Sequence, residues 1–230
     1  MRRILSIFDS IWLCVIQDMP GAIGFNLRYR YWKQRLRYLG KPARIDCGVY
    51  FQGPESISVG ENCWIDRSVI MLAGRDPSSR KRKELPVRSL GGPGEINIGN
   101  NVHIGALSII SGIEGGVYIG KDCTFSAGVK VYALSHHFRF EDDPENRLCS
   151  FGSLVGEERQ SMISGAITFE ENIGVALNAI ILPGVWIGRD SFVEIGSVVK
   201  TGAYEENSIL GGSPAIRKRP RFGARSSRPV

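Results

Sequence analysis

Two histidines stand side by side, His136 and His137, in the stretch VYALSHHFRFEDDPENR, and the 230-residue chain holds one more, His103. An imidazole can take a proton from a hydroxyl near neutral pH, because its unperturbed pKa is about 6.5. Such a general base activates an alcohol, which is a poor nucleophile while it keeps its proton. Adjacent residues of an extended segment point to opposite sides, so one of the pair can face a cleft while the other turns away. The alternative is that both are ordinary exposed loop histidines.

Metal chemistry fits these residues poorly. Zinc needs ligands that converge on one ion, and neighbours such as His136 and His137 rarely both reach it. His103, in NNVHIG, reads as structural. The five cysteines, at positions 14, 47, 63, 123 and 149, form no CxxC pair, so neither a zinc site nor a redox motif is indicated. No metal is expected. Scattered unpaired thiols favour a reducing compartment. The acidic run Glu141, Asp142, Asp143, Glu145 follows the histidines. Such a run is usually a solvated face, though a member could orient a histidine or bind substrate hydroxyls.

The element that must position these residues keeps a period of six. From 169 to 204 the chain reads FEENIG VALNAI ILPGVW IGRDSF VEIGSV VKTGAY, each block opened by an apolar residue: Phe169, Val175, Ile181, Ile187, Val193, Val199. The phase recurs at Val59, Ile65 and Met71, at Ile98, Ile104 and Ile110, and at Ile119, Phe125 and Val131. Four residues after each opener the side chain is compact, as at Cys63, Val102, Cys123, Ala179 and Ser191. Glycine often follows the opener directly, as at Gly60, Gly99 and Gly120, which suits corners that need unusual backbone angles or close approaches. Helices space apolar residues by three and four, and strands alternate them. A period of six fits a solenoid whose short straight runs return every sixth residue to an inner face.

The rhythm breaks at 75–94, a basic segment rich in Ser, Pro and Gly, and at 132–166, which opens on the histidine pair. A solenoid needs no such excursion for stability, so the longer one is a candidate functional loop. The shorter reads as mobile solvated surface. A three-residue slip between Ile110 and Ile113 reads as an enlarged corner.

Blocks of the form (Ile/Val)-Gly-x-x-x-x, ending in IILPGVWIG and then GGSPAIRK, resemble the hexapeptide-repeat acyltransferases over roughly residues 45–216. The resemblance implies an all-β solenoid, a left-handed parallel β-helix with three hexapeptides to a triangular coil. Handedness comes from the resemblance and not from the spacing. It also implies a homotrimer with sites between subunits, acetyl-CoA as donor, and a catalytic histidine in a Ser-His or Thr-His sequence where a coil opens into a loop. By that match the base is His136, which follows Ser135, with His137 as the alternative.

The donor groove would lie beside the last coils, at Ala176 to Asn178 and at Ile195 and Gly196. Here the chain departs from the family, which often has a tryptophan and a glycine-rich turn in place of NIGVALN and an alanine in place of Ile195. Lys200, Arg217 and Lys218 are expected at the nucleotide phosphates, which call for cations. The family's upstream asparagine is missing; GALSIIS offers Ser108 and Ser111 to the acceptor, with Asp142 and Asp143 as further candidates. The activity implied is O-acetyl transfer to a sugar hydroxyl of a surface polysaccharide or lipid-linked oligosaccharide. The alternatives are N-acetyl transfer to an amino sugar, its nucleotide conjugate or a drug, and a non-catalytic β-helix scaffold.

The net charge of +6 is uneven. Residues 1–44 hold nine Lys/Arg against two Asp, and 217–230 hold six basic residues and no acid, which leaves the solenoid body at −7. An acidic body argues against nucleic acid, and the basic ends suit phosphates or a membrane surface. Ile4, Leu5, Phe8, Ile11, Trp12, Val15 and Ile16 recur at helical spacing, far short of the roughly 20 apolar residues of a membrane span. A basic, aromatic stretch, NLRYRYWKQRLRYLG, follows. Two roles are open to this segment. It can cap the exposed first coil, or dock at a membrane interface with Arg28, Arg30, Lys33, Arg35 and Arg37 near anionic lipid. Asp9 interrupts the apolar stretch and no small-residue cleavage site follows, so no signal peptide is expected. The expected protein is cytoplasmic, within reach of the inner face of a membrane. It comprises a helical segment 1–44, a solenoid 45–216 and a basic tail 217–230.

Overall fold

The structure, a computed structural model, describes residues 2–152 and 154–223, and of residues 2–9 it describes the backbone alone. Three parallel sheets form the sides of a triangular prism. The first face runs from Tyr38–Leu39 to Gly202–Tyr204, the second from Ala43–Ile45 to Ser208–Gly212, and the third from Tyr50–Gln52 to Val198–Val199. Each circuit takes one strand from each face, and the winding is that of a left-handed β-helix. Coil pairing begins at Tyr38, ahead of residue 45.

The period of six is the core. Every opener named above is buried, with Ile98 the most exposed at 5%. Cys63, Val102, Cys123, Ala179 and Ser191, four residues on, are buried as well. Phe125 and Phe169 meet edge to face inside, their ring centres 4.9 Å apart on successive coils. The glycines after the openers serve close approach alone. A Cβ at Gly60, Gly99 or Gly120 would come within 2.7 Å of Gly99 O, Lys121 N or Glu170 O of the next coil. The left-handed backbone of that corner falls instead to Asn62, Asn101, Asp122, Asn172 and Asp190, with φ between 54° and 61°, residue types that tolerate it.

Helix α1 (Arg2–Gln17) and helix α2 (Gly21–Lys33) close the open end. Ile16, Tyr31, Trp32 and Leu36 are buried there, and the Trp32 ring meets Phe51 of the first coil at 4.7 Å. Arg28 departs from the expectation of a surface cation. It is 1% exposed and donates to the carbonyls of Ile16 and Ile45, both at 2.8 Å, and of Met19 at 2.7 Å. Lys33 likewise binds Leu39 O, and Arg37 pairs with Glu95. The basic cluster is thus partly consumed in latching the cap.

At the far end, Ala215–Pro220 folds back antiparallel on Ser208–Gly212. Arg217 and Lys218 therefore sit on a strand, and the tail beyond residue 223 lies outside the described residues.

Both excursions leave the corner between the third and first faces. The shorter differs from the mobile surface expected of it. Its ends are closed by the Gly74 N–H donating to Gly94 O at 2.7 Å, and within it Lys81–Glu84 forms a strand. Leu85 and Val87 then lie on bare glycine: a Cβ at Gly184 would come within 2.7 Å of Leu85 and 3.2 Å of Val87. We call this segment the strap.

Candidate active site

The two excursions meet in a sheet of their own. Leu134–His136 pairs antiparallel with Ser161–Ser164, which pairs parallel with Lys81–Glu84 of the strap. This sheet separates the two histidines. His137 is 5% exposed, with Nδ1 2.6 Å from Arg139 O and Nε2 3.2 Å from Glu141 Oε1. Both its nitrogens are occupied. His136, one residue earlier, points to the other side and is exposed. Its ring has no hydrogen-bond partner among the described residues and faces Phe151, with ring centres 6.4 Å apart.

The two faces of this sheet are held by opposite sets of charges, because alternate residues of a strand point opposite ways. On the His137 side, Lys83 Nζ lies 3.0 Å from Glu141 and Lys81 Nζ lies 2.6 Å from Asp142. The hydrogen bond from Lys83 holds the Glu141 carboxyl below its usual value, and that from Lys81 does the same for Asp142. On the other side, Arg82 reaches Glu114 at 3.0 Å and Asp76 at 3.2 Å. Glu114 sits at φ 64° in the corner enlarged by the three-residue slip and is 4% exposed. Burial pushes the Asp76 carboxyl up, but hydrogen bonds from Ser78, the charge of Arg80 and a hydrogen bond from Arg82 outweigh it and leave the group low.

The expected acceptor contacts need correction. Ser108 is fully buried, its Oγ donating to Ser126 O and accepting from Val129 N, both at 3.2 Å. It closes an inner corner and reaches no ligand. Ser111 is 3% exposed and also lies within the coil. Asp142 is engaged by Lys81, and Asp143 accepts from Asn146 Nδ2 at 3.0 Å.

The residues expected at the donor fall on the two edges of the third face. Ala176 to Asn178 and Ile195 with Gly196 stack at the corner between the second and third faces, joined by the Gly196 N–H donating to Leu177 O at 2.9 Å. Leu177 and Ile195 are exposed there, and a side chain at Gly196 would meet nothing within 4 Å. Lys218 reaches the same corner through Glu194 at 3.5 Å. Arg217 is partly engaged, donating from Nε to Ser208 Oγ at 2.9 Å. Lys200 stands at the opposite edge, the one from which the histidine loop departs. Sequence reasoning missed Arg82, Lys83 and Glu114; the alternation in KRKE and the slip at Ile110–Ile113 were the available signals. No group of three or more His, Cys, Asp and Glu is placed to hold a metal among the described residues.

Fold and period define the class: a left-handed parallel β-helix built on a six-residue repeat, the fold of a hexapeptide-repeat acetyltransferase from Vibrio cholerae that the chain matches at 19% identity and a TM-score of 0.54. Within that class the particular resemblances are distant. The chain is 27% identical over 124 residues to WbbJ of Escherichia coli K12, named as an O-acetyl transferase of lipopolysaccharide biosynthesis, covering 54% of this chain and 60% of that protein. It is 24% identical over 179 residues to the dTDP-4-amino-4,6-dideoxy-D-glucose acyltransferase of Escherichia coli, covering 77% and 78%. It superposes with a TM-score of 0.67 and 20% identity on a variant of AntD, an N-acyltransferase from Bacillus cereus, in complex with dTDP-4-amino-4,6-dideoxyglucose and coenzyme A, covering 85% and 90%. The chain thus spans less than two thirds of WbbJ. No family model matches the chain.

Proposed function

We propose that the protein is an acetyl-CoA-dependent O-acetyltransferase acting on a sugar hydroxyl, with His136 as general base. The observation that carries this reading is the asymmetry of the histidine pair: one ring is locked at both nitrogens, and its neighbour is free at the mouth of the break. His136 takes the hydroxyl proton as the oxygen attacks the thioester carbonyl. The tetrahedral intermediate collapses, its C–S bond breaks, and the imidazolium returns the proton to the departing thiolate. Oxyanion stabilisation by a backbone N–H fits what such intermediates require. No acyl-enzyme is needed.

Homotrimer formation fits the third face. Its outward row carries Ile70, Ile109, Ile180 and Val198, half-buried apolar side chains interrupted by Lys130, on a sheet with no covering element among the described residues. The histidine loop adds exposed Phe138, Leu148, Phe151 and Leu154. The histidine and the Leu177–Ile195 corner border opposite edges of that face, so a second copy alongside would join them into one site. Coenzyme A would run along the corner, with Lys218 and Arg217 toward its phosphates and Lys200, from the opposite edge, contributed by the second copy.

N-acyl transfer to a nucleotide-linked amino sugar is the second reading, favoured by the longer span shared with the amino-sugar acyltransferase. An amine needs less help from a base. The deciding experiment is coenzyme A release across a panel of sugars and nucleotide amino sugars, with mass spectrometry of the products. No release with any acceptor would favour a non-catalytic scaffold.

No described helix is long and apolar enough to cross a membrane. The cap leaves Ile11, Trp12, Val15 and Ile23 exposed, beside a groove lined by Trp12, Arg30 and Arg35. We therefore keep reversible association with anionic membranes in the proposal, since an aromatic and apolar face with cations beside it suits that interface. Flotation with anionic vesicles at low salt, lost at high salt, is the expected result. A chain left in solution would reduce the helices to a cap and favour a soluble acceptor.

A further inference from the structure

We infer that the strap positions His136, with Arg82 and Glu141 as positioning residues; the inference rests on the reading of His136 as the base. The strand that carries His136 is three residues long, and its partner Ser161–Ser164 is four. A two-stranded ribbon in water is marginally stable at best, and a third strand is what makes such a sheet hold. Lys81–Glu84 supplies that third strand from another part of the chain. The register sets Arg82 opposite Met162, and Met162 opposite His136. These three share one row and one face, roughly two strand spacings of about 4.8 Å from end to end.

The strap is in turn fixed by carboxylates on both sides. Arg82 binds two acids at once, Glu114 on the solenoid and Asp76 within the strap. A planar guanidinium suits such two-point attachment, and a lysine does not reproduce it. On the other side, Glu141 takes Lys83 of the strap and Nε2 of His137. The backbone N–H of His137 donates to Ser161 O at 2.8 Å. Glu141 thus ties the strap to the residue beside the proposed base. The outer contacts are solvent-exposed and individually weak. Their effect is on the placement of the histidine strand and little on global stability.

The test compares Arg82→Met, Arg82→Lys and Glu141→Gln with His136→Ala in the full chain, by hydrogen exchange and by coenzyme A release. The assay uses acetyl-CoA with galactose, p-nitrophenyl galactoside and dTDP-4-amino-4,6-dideoxyglucose as acceptor probes. Arg82→Met and Glu141→Gln should speed exchange in 134–137 by about tenfold, with strands 117–132 unchanged, because local opening reports local stability. They should lower kcat by about ten- to a hundredfold, the cost of a misplaced catalytic group, with KM for acetyl-CoA unchanged. Arg82→Lys should fall between. Unchanged exchange and unchanged kcat would overturn the inference. So would a fall in kcat matched by an equal rise in KM. Should Arg82→Met fail to fold, Glu141→Gln decides alone, since its carboxylate is at the surface. If His136→Ala is harmless while exchange in 134–137 still rises in the variants, the base assignment fails and the mechanical role of the strap stands.

Discussion

Arg82 and Glu114 meet at 3.0 Å between the strap and the enlarged corner of the solenoid, with Glu114 almost wholly withdrawn from water. A carboxylate in that position is tolerable only with its partners in place, because an unpaired buried charge is costly. Arg75 adds a second cation to Glu114 at 2.7 Å.

Removing the carboxylate therefore leaves Arg82 and Arg75 facing each other. Glu114→Ala should cost roughly 2–3 kcal/mol, below the usual range for a broken buried pair because both arginines keep some contact with water. Thermal unfolding followed by circular dichroism is the check. Glu114→Gln should cost less, since the amide still accepts a hydrogen bond.

The strap should loosen in acid. Asp76, Glu141, Asp142 and Glu157, the last accepting from Ser79 N and Oγ of the strap at 2.8 and 2.6 Å, are all held below their ordinary values. A carboxyl lowered in the folded state stabilises above its unfolded pKa, and that stabilisation is lost as pH falls through the lowered folded value. Limited proteolysis should accordingly leave 75–94 protected at pH 5 and open it as pH drops below the ordinary carboxylate range. Cutting at equal rates across that interval would contradict the linkage.

How much of this was legible in the sequence follows from the physics of each part. The solenoid was legible because its core is periodic: Ile181, Ile187 and Val193 are inside for the same reason that they are six apart. Corner chemistry was half legible. Glycine was rightly tied to close approach, but the left-handed turns went to Asn62, Asn101 and Asp122, which look like ordinary polar surface residues. The strap was misread because a run such as RKRKE looks solvated until its partners are known. Those partners, Glu114 and Glu141, lie 32 and 58 residues away from Arg82 and Lys83, and no local pattern announces them. Ser108 and Ser111 were misplaced for a related reason: polarity suggested a ligand, while position in the repeat put them inside.

Self-association should depend on the third face. Ile180→Arg would set a second cation in the row, between Lys130 and Val198, and charged groups in the core of an interface oppose association. Light scattering should give a trimer for the native chain and a smaller species for the variant, with circular dichroism unchanged. A native chain that stays monomeric at micromolar concentration and remains active would defeat the proposal.

The central claim is that His136 takes the proton and His137 holds the loop. Its most direct measurement is coenzyme A release by His136→Ala and His137→Ala, each checked for folding by its melting temperature. The account predicts that His136→Ala loses at least about a hundredfold in kcat, the low end for removal of a general base, at unchanged stability. His137→Ala should lower stability and lose activity through loosening of the loop. Near-normal turnover by folded His136→Ala would contradict the account.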